Sequence, residues 1–301
     1  FCRAFNVLNL LEVKMNGNSV LSKKWFLYAT GFFSGMSVMA IELGASRLLA
    51  PYFSASQIVW TVIIGTIMIA MAIGNVWGGR SADKNPDPKK LYIRILLVAI
   101  WTALIPFLGK YVIAGITVLL ALFVDSNFLV WASFSACIVL FVFPLMLLGT
   151  VTPSLMKYAT ESLDDNGKTV GELEALGTIG SIIGTFTPTF ITIPTLGTSR
   201  TFLLFAAILA VISCIYFIGG ISGKKRIVPI ILSVAVIGAS FVPVTDSFAF
   251  WEDDVVYEGE SIYNYLQVKE TDNSVILSTN VAVGVQSIMM KNGGLTGMYY
   301  D

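Results

Sequence analysis

The chain has 301 residues, 55% of them hydrophobic and 13% charged, with a mean hydropathy of +0.78. A soluble domain carries roughly twice that share of charge, and several runs exceed the ~18 apolar residues that mark a membrane span, so the composition excludes an ordinary soluble globule. Basic and acidic residues balance and no histidine is present, which argues against a nucleic-acid partner, histidine catalysis and histidine metal sites; Cys2, Cys137 and Cys214 lie too far apart for a metal motif or a disulfide framework.

The chain opens on Phe1, and Met15 precedes "NGNSVLSKKW", so residues 1–14 read as an upstream extension or a fragment edge and residues 1–24 as an N-terminal cytoplasmic segment. Seven apolar runs follow, at about 25–50, 57–79, 91–108, 128–150, 172–194, 201–220 and 227–244. An eighth, "VIAGITVLLALFV" at 112–124, is short for a span and reads as an extension or a surface helix. Charge chooses between seven and eight crossings. Lys23 and Lys24, then Arg80, Lys84, Lys89, Lys90 and Arg94, then Lys224, Lys225 and Arg226 all fall on the cytoplasmic side if residues 112–124 do not cross. The expectation is a multi-pass protein of the cell membrane with a cytoplasmic N-terminus, its lipid partner the bilayer and its helical domain at 25–244. Seven crossings place the C-terminal segment outside; eight would place it inside.

Residues 245–301 change character. "DVVYEGE", "NYLQVKE", "SVILSTN" and "VQSIMMK" have strand composition, and "TDNS" and "KNGG" read as turns. The fold class is therefore an all-α polytopic membrane protein of about seven transmembrane helices followed by a small antiparallel β domain.

Within the helices, "MAIELGASRLLAP" puts Glu42 and Arg47 in a membrane segment, where a charge costs at least about 2.5 kcal/mol and marks a candidate functional site. The two are about 140° apart around a helix and do not make an i,i+4 pair. Arg47 can snorkel outward, four residues before Pro51, whereas Glu42 is deeper and calls for a partner, with Asn75 the nearest polar candidate. A packing pair and a substrate or proton site both remain open. Gly177, Gly180 and Gly184 fit no nucleotide loop; Gly180-x-x-x-Gly184 reads as a helix-packing face, with Glu172 and Glu174 at the helix start, where the dipole favours acids.

"GGRSADKNPDPKK" contains Gly79, Asp83 and Lys84 in the pattern G-x-x-x-D-K, which resembles the loop between the second and third helices of the major facilitator superfamily. "FVFPLMLLGTVTPSLMKYA" and "GELEALGTIGSIIGTFTPTFITIPTLGTSRTF" resemble its fourth to sixth helices. That likeness implies a major-facilitator-like half in which Asp83 ties helix ends and helps set a gate. Together with E-x-x-x-S-R-x-x-A-P in the first helix and the tail "ESIYNYLQVKETDNSVILSTNVAVGVQSIMMKNGGLTGMYYD", the order of motifs resembles the bacterial fusions of a major facilitator half with a spermidine synthase. The resemblance implies that 245–301 is the N-terminal β domain of the aminopropyltransferase part, here truncated, and that the catalytic nucleotide-binding domain is absent from this sequence, whether cropped or lost. No catalytic residue, metal or cofactor is then expected in this chain, and decarboxylated S-adenosylmethionine is implied as co-substrate of the whole. The enzymes' early Tyr-Gln is replaced by Tyr263 and Asn264, and Gln286 fits the strand that follows. The candidate substrate-binding residues are Glu42, Arg47, Asn75, Tyr263, Asn264 and Gln286; the candidate gating or structural residues are Gly79, Asp83 and Lys84. The expected role is a membrane anchor or substrate-handling module of polyamine metabolism, with a polyamine or other small molecule as ligand. The alternative is a half-size major-facilitator-like transporter, which requires a homodimer.

Overall fold

Apolar runs long enough to cross a bilayer can satisfy their backbone only as helices, and the computed structural model shows six such helices. It describes residues 24–53, 56–124, 127–159, 166–221, 223–244, 247–281 and 284–298; the first 23 residues, and with them Lys23, Cys2 and Met15, lie outside the described residues. Helix α1 is Lys24–Phe53, α2 Gln57–Lys84 and α3 Pro88–Ala121. The fourth span, Phe128–Ala159, consists of α4 Phe128–Cys137, a π turn at Ile138–Val142, α5 Phe143–Gly149 and α6 Val151–Ala159. The fifth consists of α7 Asn166–Thr187, a second π turn at Pro188–Thr192 and α8 Ile193–Leu196, and the sixth is α9 Thr198–Gly220. A 3-10 turn at Lys224–Arg226 leads into α10, Ile227–Ala239.

Residues 112–121 are the upper part of α3, not a span of their own. At 34 residues α3 is about 51 Å long, well over the ~30 Å of bilayer hydrocarbon. The run predicted as a seventh span yields only the 13-residue α10, about 20 Å long. It nevertheless carries the chain back across the bundle, from Lys224–Arg226 at the end of α9 to Ser247, whose carbonyl accepts from Lys110 Nζ at 3.3 Å near the far end of α3.

Local chemistry sets the helix ends. The Ser56 hydroxyl caps α2 by accepting from Val59 N–H, and Asp87 caps α3 by accepting from Lys89 N–H, with Pro88 at the first helical position. Gly197, at φ 87°, separates α8 from α9, a backbone state open to glycine at little cost.

Two glycine seams hold the bundle. A Cβ built on Gly180 would lie 2.0 Å from the Phe32 carbonyl oxygen, one on Gly184 2.1 Å from that of Met36, and one on Gly35 2.3 Å from that of Gly177. Helices α1 and α7 therefore touch backbone to backbone, as small-residue faces allow in lipid. The second seam joins α2 to α5: a Cβ on Gly74 would lie 2.1 Å from Met146 O, and one on Gly78 2.6 Å from Thr150 Cα. Elsewhere α9 packs on α3, α10 and α1, around a stack of Phe26, Tyr92 and Tyr216.

The four predicted strand segments become β1 Val255–Glu260, β2 Tyr265–Glu270, β3 Ser274–Ser278 and β4 Val285–Met290, paired antiparallel in the order β1-β2-β3-β4. "TDNS" is the β2–β3 turn and "KNGG", with Gly293 at φ 74°, follows β4. The sheet rests on the end of the bundle opposite Lys24, Lys84, Lys89 and Lys224–Arg226. Val281 N–H donates to Pro51 O at 2.9 Å and Tyr52 Oη to Phe248 O at 2.9 Å.

The seam predicts that Gly180→Leu lowers the melting temperature in detergent, since overpacking costs about 1–3 kcal/mol, whereas Gly79→Ala, whose added methyl would meet only Pro153 Cβ at 3.9 Å, leaves it unchanged. The position of the basic end predicts that single cysteines at Lys110 and Lys224, in a background without native cysteines, react with an impermeant maleimide from opposite sides of the membrane.

Candidate functional site

Leu43, Ser46, Arg47 and Ala50 recur at the spacing of one helical face, and that face of α1 points at the underside of the sheet. With Trp60 from the start of α2, and Thr189 and Ile193 from the end of the fifth span, it forms the floor of a cavity of about 450 Å³. The roof comes from the sheet. Glu260, Tyr263, Asn264 and Tyr265 belong to the β1–β2 turn and its flanks; Thr279, Asn280 and Gly284 belong to the β3–β4 connection and Gln286 to the start of β4.

Each roof element is held by its own chemistry. Ser261 organises the first turn: its hydroxyl accepts from Tyr263 N–H at 3.2 Å and from Asn264 N–H at 3.0 Å, and its own N–H donates to Asn264 O at 2.9 Å. Short hydroxyl side chains fold turns in this way. Asn264 and Tyr263 are thereby held at the tip, with Tyr263 84% exposed at the rim. In the second connection Thr279 N–H donates to Gly284 O at 2.8 Å, and Gln286 Nε2 donates to Thr279 Oγ1 at 3.3 Å. A side chain on Gly284 would lie 2.6 Å from Asn280 Cβ, so the loop requires glycine there.

Arg47 and Glu260 fix the roof to the floor. Arg47 leaves the membrane helix and donates to the carbonyls of Ser261, at 3.3 Å, and Ile262. Glu260 accepts from the backbone N–H of Thr198 at 2.6 Å and from its hydroxyl at 2.7 Å. A carboxylate at the first turn of α9 both satisfies an orphan donor and meets the positive end of the helix dipole. One step away, Glu258 accepts from Phe248 N–H at 2.7 Å and from Tyr265 Oη at 2.5 Å; burial and this carboxylate push the Tyr265 phenol well above its ordinary range.

The structure thus brings Arg47, Tyr263, Asn264 and Gln286 to one cavity. Glu42 does not line it: the residue sits half-buried lower on α1 with no hydrogen-bond or ion-pair partner among the described residues. Asn75 is exposed on α2, and no hydrogen bond joins it to Glu42. At the basic end, Asp83 pairs with Lys157 of α6 at 2.9 Å, and Lys84 ends α2, where a cation suits the dipole. Gly79 has room for a side chain, and its neighbour Gly78 is the one that touches Thr150. Tyr263 is not the core aromatic of the sheet; Tyr265, two residues on, is buried against Phe248.

Sequence reasoning did not single out Glu260, Thr198, Trp60 or Asn280. The available signal for Thr198 was its place directly after Gly197, as the first residue of a new apolar helix, where donors are orphaned; its acceptor lies 62 residues away.

Chemically the cavity presents polar and aromatic groups. It offers three amide side chains, two tyrosines and a tryptophan, which suit the edges and face of a polar heterocycle or a short amine. Among the described residues its single carboxylate is bonded through both oxygens.

No family model and no solved structure matches the chain. A protein of Bifidobacterium longum (strain NCC 2705), described as a probable polyamine aminopropyl transferase, is 55% identical over 87 residues, which is 29% of this chain and 19% of that protein. The chain therefore spans about a fifth of the relative it matches. What stands is an apolar, mainly helical membrane protein with a small antiparallel sheet and a stretch similar to part of a polyamine aminopropyl transferase.

If Glu260 holds the sheet to α9, Glu260→Ala uncaps the helix at about 0.5–2 kcal/mol. Limited proteolysis in detergent is expected to cleave between 240 and 260 faster in the variant than in the parent, with the helical bundle intact in both.

Proposed function

We propose that this chain is the membrane module of an aminopropyltransferase-type protein, and that it both anchors the sheet at the bilayer surface and supplies half of a substrate cavity. One observation carries the reading: the cavity walls come jointly from the bundle and the sheet, and Arg47, Tyr263, Asn264 and Gln286 all meet there. Its 450 Å³ falls within the ~300–1,000 Å³ of small-molecule sites, enough for a nucleoside or an amine-bearing fragment of one. The similarity to the Bifidobacterium longum protein supports polyamine chemistry as its setting. In this reading decarboxylated S-adenosylmethionine is the co-substrate of the whole protein, and the floor of the bundle orients it.

The Asp83–Lys157 pair across the basic end supports a major-facilitator-like arrangement of the helices, since it ties α2 to α6. As an exposed pair it contributes about 0–1 kcal/mol, so its value lies in alignment more than in stability. The basic residues collected at that end support a cytoplasmic N-terminus in the cell membrane, with the sheet on the far side.

The test is equilibrium binding of methylthioadenosine to the full chain in lipid nanodiscs. Micromolar binding is expected, weakened about tenfold, or 1.4 kcal/mol, by Asn264→Ala and by Gln286→Ala. Absence of binding, or affinity indifferent to both substitutions, overturns the reading.

A further inference from the structure

One face of α3 is turned away from the bundle. Leu97, Leu104, Leu108, Tyr111, Val118 and Leu122 are all exposed, and steps of three, four and seven residues place them on a single side of the helix. This apolar stripe rises about 38 Å, more than the ~30 Å of bilayer hydrocarbon. Tyr111 lies about 21 Å from one end of it and about 17 Å from the other, so a slab laid anywhere along the stripe takes in Tyr111.

The segment that leads into the sheet docks at this point. The Phe250 ring lies 4.8 Å from that of Tyr111, and the Trp251 ring 4.9 Å from that of Phe250. Phe250 is 40% and Trp251 50% exposed, whereas Phe248 and Ala249 before them are buried. The aromatic pair therefore extends the lipid-facing stripe sideways.

The backbone beneath the pair is equipped for a medium without water. Irregular backbone at membrane depth persists only where protein satisfies its polar groups. Here five consecutive groups are satisfied. Lys110 Nζ donates to Ser247 O at 3.3 Å and Tyr52 Oη to Phe248 O at 2.9 Å. The N–H groups of Phe248 and Ala249 donate to Glu258 at 2.7 and 3.2 Å, and Glu252 N–H donates to Ala249 O at 3.0 Å. Four of these five partners are side chains, drawn from α1, α3 and β1, which a loop in water does not require. Lys110 is covered as well: its ammonium lies 5.4 Å from the centre of the Tyr111 ring and 5.6 Å from that of Phe250, and ring faces stabilise a desolvated cation. Glu252, Asp253 and Asp254 then follow directly, with both aspartates exposed, so the apolar segment ends in charge.

We propose that Ser247–Trp251 is a re-entrant lipid-contact segment: Phe250 and Trp251 insert beside α3 into the leaflet on the side of the sheet, where phospholipid acyl chains meet glycerol. An indole, with an apolar body and one N–H, favours that level. The sheet is then held at the bilayer by lipid contact of the segment before it, in addition to its bonds to the bundle. This goes beyond the reading above and does not depend on what the cavity under the sheet binds.

The test uses the parent chain in nanodiscs of a phosphatidylcholine that carries a diazirine near the glycerol end of one acyl chain. After irradiation, mass spectrometry is expected to find several-fold more lipid adduct on Phe250 and Trp251 than on Met289 and Leu295, which are exposed at and beyond the far edge of the sheet. The peptide containing Leu104 and Leu108 is the lipid-facing reference. Adducts on that reference with none on Phe250 and Trp251 overturn the proposal. A nitroxide at Trp251→Cys, with the native cysteines replaced, gives a second readout. More frequent collision with oxygen than with a water-soluble nickel chelate is expected. The reverse order places the residue in water, and a label reached by neither is covered by another protein chain; both overturn the proposal. Methylthioadenosine binding reports on the cavity separately, so its absence leaves this proposal standing and missing adducts leave the cavity reading standing.

Discussion

A guanidinium near the end of a membrane helix needs acceptors that lipid does not offer. In this chain Arg47 meets that need with the carbonyls of Ser261 and Ile262, 214 and 215 residues away. That single demand fixes where the β1–β2 turn sits. The turn then brings Glu260 to the start of α9, where it answers the free donors of Thr198. A four-stranded sheet of this size is marginal on its own. Bonded, with the segment before it, to Arg47, Pro51 and Tyr52 of α1 and to Thr198 of α9, it becomes the lid of a cavity. The cavity is a by-product of satisfying buried charge, and its floor and roof cannot be separated without exposing Arg47 and Thr198 together.

The same logic of unsatisfied groups explains the helix packing. In lipid the association of helices gains little from hydrophobicity and depends on close contact. Gly180 and Gly184 against Phe32 and Met36, and Gly74 and Gly78 against Met146 and Thr150, bring carbonyl oxygens to within van der Waals reach of a neighbouring backbone. The first seam exists because the glycines removed the side chains that would have pushed α1 and α7 apart.

Much of this was legible in the sequence, for identifiable reasons. Span length and apolarity announce membrane helices directly, and the strand composition of "NYLQVKE" and "SVILSTN" around "TDNS" announced β2 and β3 with their turn. The Gly180-x-x-x-Gly184 spacing identified a packing face, though not the partner helix. Asp83 was singled out by its motif, while its ion partner Lys157 lay in another helix with no pattern to mark it. Arg47, Tyr263, Asn264 and Gln286 were each chosen on separate grounds, and their convergence required the fold. What sequence could not supply is long-range pairing: that Glu260 meets Thr198 and that α10 returns in 13 residues; that 112–121 extends α3 was one of its two readings of that run. Glu42 and Asn75 look like partners because both are polar and mid-span, yet facing direction on two separate helices is set by packing, and Asn75 turns outward.

The length of α3 has a mechanical consequence. From Pro88 to Lys110 it rises about 33 Å, close to the ~30 Å of hydrocarbon, so the stretch up to the lysine that grips Ser247 is already long enough to cross and the last turns of the helix exceed that length. Beside it α10, at about 20 Å, is shorter than the same slab. One element is too long for the bilayer and its neighbour too short, and both are joined to the segment that carries the sheet. A change in bilayer thickness is relieved by tilt in the long helix and by local thinning at the short one, and these adjustments pull on the linker from two sides. With both helices joined to the segment before the sheet, a bilayer of different thickness is expected to alter the height of the sheet over the cavity floor.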